Sequence, residues 1–132
     1  MGESFEPVSQ EVDAIAKSVI DAALHVHRAL GPGLLESAYE ICLCHELSKR
    51  RIKVERQKSW PILYDGIRLD AGLRLDLLVE DQVIVELKAV EQMNPLFEAQ
   101  LLTYLKLAGR RLGLLINFNV PLLKDGIKRL VR

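Results

Sequence analysis

A chain of 132 residues has room for one hydrophobic core and not for two. Its 49% hydrophobic and 27% charged content is that of a soluble globular domain; no apolar run approaches the roughly 18 residues of a membrane-spanning helix, and the N-terminus lacks a signal-peptide pattern. The formal net charge is zero, which gives no compositional sign of a nucleic-acid partner. A single cytoplasmic domain over residues 1–132 is expected, with residues 1–8 flexible and no membrane partner.

In chain order, residues 9–30 place Val12, Ile15, Ala16, Val19, Ala23, Val26 and Leu30 at helical spacing, and the "GPG" of residues 31–33 ends that helix. A second helix is expected over residues 34–50. It carries the two cysteines, Cys42 and Cys44, which point about 200° apart on a helix and so neither share a metal nor pair with each other. They are expected to be small fillers in a reducing compartment, and His45 beside them completes no zinc site. From residue 53 to residue 90 the texture changes to short runs with turn signals at Asp65–Gly66 and Ala71–Gly72, which reads as an antiparallel meander. Asn94 and Pro95 then open a third helix as cap and first helical residue, and Gly109 closes it. Residues 112–118, "LGLLINF", form an apolar strand covered on both faces. The closing "IKRLVR" fits a strand or a helix. The order is α-α-β-β-β-α-β, an α/β or α+β sandwich around a central mixed sheet.

One strand carries an unusual pattern. In "QVIVELKAV" (residues 82–90), alternation puts Ile84, Glu86, Lys88 and Val90 on one face, two charges among apolar residues. The preceding run, residues 73–79, puts Arg74, Asp76 and Leu78 on one face and Leu73, Leu75, Leu77 and Val79 on the other. If Glu80–Asp81–Gln82 is a three-residue loop, Val79 opposes Val83 and Asp76 opposes Glu86, with Cβ atoms about 5 Å apart. A two-residue loop would send the carboxylates to opposite faces. Two like charges so placed destabilise a sheet unless a cation lies between them, and Mg²⁺ is commonly held by one or two carboxylates. Lys88 would stand beside it. The strands alone favour a solvated ladder in which Arg74, Asp76, Glu86 and Lys88 pair ionically. The charge map agrees with a cation site beside a phosphate-binding surface: residues 61–102 hold eight acids against three bases, and residues 103–132 seven bases against one acid.

Asp76, nine residues, then Glu86-Leu87-Lys88 resembles the core signature of the PD-(D/E)XK nuclease superfamily. "GLLESAY" (residues 33–39) resembles the motif that names its GxxExxY family, with Gly33, Glu36 and Tyr39 in place. "VHRALGPGLLESAYE", "VIVELKAVE", "EAQLLTYLKL" and "GLLINFNVPLLKDGIKRLV" extend the resemblance over nearly the whole chain from about residue 20. The superfamily's proline before the aspartate is Leu75 here, a variation that leaves the carboxylate intact. The resemblance implies a restriction-endonuclease-like core. It implies Asp76, Glu86, the Leu87 carbonyl and Glu36 as ligands of Mg²⁺ or Mn²⁺, and Lys88 as the residue that orients or activates water. Gln100 and Tyr104 resemble the QxxxY motif of exonuclease-like branches; at i, i+4 they share a helix face. The implied function is a metal-dependent nuclease acting on nucleic acid, DNA in preference to RNA, with a protein partner or homodimer allowed. The alternatives are an idle nuclease-fold adaptor for nucleic acid or protein, and a structural subunit. His27 before the glycine break could approach the site or be structural. The basic run of residues 49–58, with Lys124, Lys128 and Arg129, reads as a phosphate track or as solvated charge.

Overall fold

A computed structural model describes residues 6–132. Of the segment expected to be flexible, residues 1–5 lie outside the described residues, while Val8 packs against the core and Ser9 caps the first helix, its Oγ accepting from the Val12 amide at 3.2 Å. The elements are α1 (Gln10–Leu30), α2 (Glu36–Lys49), β1 (Val54–Tyr64), β2 (Ile67–Val79), β3 (Val83–Lys88), α3 (Pro95–Ala108), β4 (Leu112–Asn117) and β5 (Ile127–Val131). The strands form one sheet in the order β1-β2-β3-β4-β5. All neighbours are antiparallel except β3 and β4, whose parallel pairing is made possible by the α3 crossover between them. This is the expected mixed sheet with flanking helices, extended by a fifth strand where "IKRLVR" pairs with β4.

Two hydrophobic clusters sandwich the sheet. Helices α1 and α2 cover one face through Ala16, Val19, Ala23, Tyr39, Leu43 and Leu47, which meet Leu77, Val79, Val85, Leu87 and Leu114. Helix α3 covers the other through Leu101 and Leu105, which meet Leu73, Leu75, Leu78, Ile84 and Leu115. Strands β3 and β4 are therefore buried on both sides, which explains their nearly unbroken apolar sequence. Asn94 caps α3, accepting from the Leu96 amide at 2.8 Å, and Gly109 ends it in the left-handed region at φ 65°.

Strand β2 departs from the expected alternation. Leu73 and Leu75 belong to the α3 cluster, whereas Leu77 and Val79, of the same parity, belong to the α1/α2 cluster. Strand β1 switches likewise: Val54 packs with α1 and α2, Trp60 and Ile62 with α3. Both switches fall at one level of the sheet, where Gln57 of β1 stands in the left-handed region at φ 52° between the ladder pairs Arg56↔Leu77 and Lys58↔Leu75, opposite Asp76. A left-handed residue inside a strand rotates the strand, and its partner follows. Beyond that level β1 and β2 continue as a hairpin closed by Asp65 and Gly66, both at positive φ, with Leu63, Tyr64, Ile67 and Leu69 exposed near its tip. Ala71–Gly72, read above as a turn, lies within β2. The glycine is there because a Cβ would sit 2.4 Å from Ile62, whose side chain folds over it.

Candidate active site

The β2–β3 connection is the three-residue loop the argument required. Val79 pairs with Val83, Leu78 with Ile84 and Leu77 with Val85. Glu80 and Asp81 both take positive φ and are held from outside the hairpin. The Glu80 carboxylate accepts from the Lys53 amide at 2.8 Å, and the Arg110 guanidinium donates to both the carbonyl and the carboxylate of Asp81. The ladder stops at Leu77↔Val85, so Asp76 and Glu86 do not face each other as a ladder pair. Instead each carboxylate takes the other strand's backbone. The Asp76 amide donates to Glu86 Oε2 at 2.9 Å, and the Leu87 amide donates to Asp76 Oδ2 at 2.9 Å. This reciprocal clasp holds the two acids together across the opening between the strands. It engages one oxygen of each.

The clasp is electrostatically frustrated. Glu86 is only 5% exposed, and burial first, then the Asp76 charge, pushes its carboxyl up to about 8. Burial also raises the half-buried Asp76, against the Leu87 amide, which favours its charged form. Glu36, at the first turn of α2, is exposed but still raised by partial desolvation and by Asp76. The positive charge of Lys88 opposes the rise at all three acids. Its Nζ lies 4.3 Å from the centre of the Phe97 ring on α3, a cation–π contact that holds the ammonium beside the acids, and it makes no ion pair among the described residues. Also on α3, the Gln100 amide donates to the Tyr104 hydroxyl at 2.9 Å. The Tyr104 phenol is raised by burial and then by Glu86 and Asp76, so the pair stands on the carboxylate side of the helix.

Glu36 is placed by its neighbours in the sequence. Gly33 takes φ 97°, a conformation other residues rarely adopt. The Tyr39 hydroxyl donates to the Gly31 carbonyl at 2.6 Å and accepts from the Leu34 amide at 3.1 Å, clamping the loop before α2, whose N-cap Leu35 supplies no side-chain bond. The Tyr39 ring stacks on Phe118 at 4.5 Å, and the Phe118 amide donates to the Lys88 carbonyl at 2.9 Å. Gly33, Glu36 and Tyr39 are thus a turn, an aimed acid and a clamp. Tyr39→Phe should cost about 1–3 kcal/mol of stability by stripping two backbone groups of their partner, measured by urea unfolding.

The oxygen-only donors suit a hard divalent cation, and positive charge placed between them would oppose the rise that burial causes at Asp76 and Glu86. Among the described residues, however, no three acidic, histidine or cysteine side chains stand together closely enough to hold a metal ion, so Glu36 does not complete a ready-made cage with the other two. It reaches in from the exposed start of a separate element. Two residues that the sequence reading did not single out, buried Glu40 and half-buried Gln57, complete the neighbourhood. Glu40, 6% exposed and one turn beyond Glu36, accepts from Arg56 at 2.9 Å and from the Gln57 amide at 2.5 Å, and its charge reaches Asp76. The i, i+4 spacing of Glu36 and Glu40 was visible in the sequence; nothing marked Gln57.

The remaining candidates lie elsewhere. The His27 ring donates through Nε2 to the Val120 carbonyl at 2.8 Å, joining α1 to the loop after β4. Much of the basic run is paired: Arg50 with Asp21 and Glu46, Arg56 with Glu40, Lys53 and Lys58 with Glu55. Lys128 pairs with Glu98 and Arg129 with Asp13. Cys42 and Cys44 are free and packed against the core, with the Cys44 thiol pushed up to about 11 by burial. No described helix is long and apolar enough to cross a membrane.

Comparison with known proteins gives one match. A family model described as the PD-(D/E)XK nuclease superfamily covers residues 13–130. No curated protein and no solved structure shows significant similarity to the chain.

Proposed function

Given that the chain belongs to the PD-(D/E)XK nuclease superfamily, we propose that it hydrolyses phosphodiester bonds of nucleic acid, DNA before RNA, with Mg²⁺ or Mn²⁺ as its cofactor. The observation that carries this reading is the Asp76–Glu86 clasp with Lys88 beside it. Asp76 and Glu86 would hold the ion through the oxygens that the clasp leaves free, with the Leu87 carbonyl and Glu36 as further ligands. The bound ion would supply Lewis acidity toward water and the phosphate.

The chain's own groups do the rest. Lys88 orients the attacking water and offsets charge that grows on the phosphate, in a half-buried setting where water screens it less than in bulk. Tyr104, with its hydroxyl oriented by Gln100, contributes a polar contact to the phosphate from the α3 side. Within the superfamily we assign the chain to the GxxExxY family, since Gly33, Glu36 and Tyr39 each have a distinct physical task at the motif's positions.

The test is a cleavage screen over single- and double-stranded DNA and RNA with Mg²⁺, Mn²⁺ and chelator, run beside calorimetry. Cleavage that needs the ion, together with heat of Mn²⁺ binding that disappears in Asp76→Asn, is the expected result. Mn²⁺ binding indifferent to Asp76, or no binding at all, would leave the adaptor as the better description.

A further inference from the structure

Gln57 has a conformation that needs an explanation. It occupies the left-handed region at φ 52° between the in-register pairs Arg56↔Leu77 and Lys58↔Leu75, where no turn or inserted residue calls for it. Strain of this kind persists only where surrounding contacts impose it, and it concentrates at functional positions. Here the contacts are visible. The Gln57 carboxamide donates to Glu40 Oε1 at 2.5 Å, and Glu40 is fixed in turn by Arg56 Nε at 2.9 Å. Glu40 is buried on α2, so the carboxamide is anchored to a helix as well as to its own strand. The same carboxamide favours the ionised form of Asp76, while its hydrogen bond in the structure is to Glu40. The β1–β2 register sets Gln57 level with Asp76, and cross-strand partners at one level share a face of the sheet.

We infer that Gln57, held by Glu40 and Arg56, is a positioning residue that fixes the Asp76 carboxylate in the clasp with Leu87. The inference rests on the reading of Asp76 as a site residue, and it adds a support on the β1 side that the family signature residues do not include. A carboxamide suits the task. It has two N–H groups, one given to Glu40 and one free to turn toward Asp76, and it adds no charge that would compete with a bound cation.

The reporter is the Leu87 amide, which donates to Asp76 Oδ2. Gln57→Gly removes the carboxamide while accepting a positive φ without strain. Gln57→Asn tolerates the same backbone but is one carbon too short to span Glu40 and Asp76. In both variants, hydrogen exchange at Leu87 is expected to quicken about ten-fold or more, with Val85 inside β3 unchanged. Mn²⁺ binding should weaken roughly 10–100-fold, the usual effect of losing a partner behind a ligand. The two variants guard against one failing to fold. A purely structural Gln57 predicts that Leu87 and Val85 change together, or not at all, and either result overturns the inference. A wild type that cleaves nothing, with the Leu87 effect intact, would instead remove the nuclease reading and leave the positioning role standing.

Discussion

Lys88→Ala is expected to reduce phosphodiester cleavage by about two orders of magnitude or more while leaving the fold in place. The ammonium sits over the Phe97 ring at 4.3 Å, at the end of β3, where its charge reaches Glu36, Asp76 and Glu86 at once. Truncation removes the one positive side chain acting on all three acids. It forfeits a cation–π contact of about 0.5–1 kcal/mol, but Phe97 itself stays half-buried and no ion-pair partner is orphaned. A urea-unfolding midpoint close to wild type with single-turnover cleavage collapsed is the outcome to look for. Lys88→Arg should not restore the rate, since a planar guanidinium differs in shape and donor direction from a compact ammonium. Cleavage by Lys88→Ala at the wild-type rate would falsify the proposed role.

Glu86→Gln should do the opposite to stability and the same to activity. In the folded chain without a cation, Glu86 keeps its proton up to about pH 8, against an ordinary glutamate value of 4.5. Between those values the folded state binds a proton that the unfolded state has released. Its contribution to stability is full below the unfolded value and is lost as pH rises through the folded one, at up to about 1.4 kcal/mol per pH unit. The ion-free protein should therefore unfold at lower urea at pH 8.5 than at pH 6. Glu86→Gln keeps an oxygen for the Asp76 amide, carries no charge to desolvate, and should flatten this profile. It should exceed wild type at pH 8.5 by roughly 2 kcal/mol or more. Mg²⁺ or Mn²⁺ should restore wild type at that pH but not the variant, and Mn²⁺ affinity of the wild type should rise with pH as the proton is displaced. Identical pH profiles for the two proteins would show that Glu86 is not held in its neutral form.

Much of this molecule is legible in local sequence. Asn94, Pro95 and Gly109 bound α3 because each solves a problem of helix ends that needs no distant partner. Asp65–Gly66 closes a hairpin because both positions accept positive φ. The odd length of Glu80–Asp81–Gln82 sets a register that puts Asp76 and Glu86 within reach of each other, since strand pairing propagates from its turn. The resemblance read from Asp76, Glu86 and Lys88 agrees with the family match over residues 13–130. "IKRLVR" was ambiguous for a physical reason. It is an edge strand whose side chains are mostly exposed, and only pairing with β4 settles its conformation.

Sequence by itself thus determined most of the elements and the β2–β3 register that an odd loop would give, because those follow from steric preference, capping and periodicity within a few residues, and the family resemblance pointed to Asp76 and Glu86. Tertiary structure alone decided how the clasp is supported. The reversal of faces at Gln57 and Asp76, the burial that raises Glu86 to about 8, and the line from Arg56 through Glu40 to Gln57 depend on helices packing across both faces of the sheet. Desolvation and hydrogen bonding act through space, between residues 17 or more positions apart in the chain in the case of Glu40 and Gln57, and no local pattern encodes them.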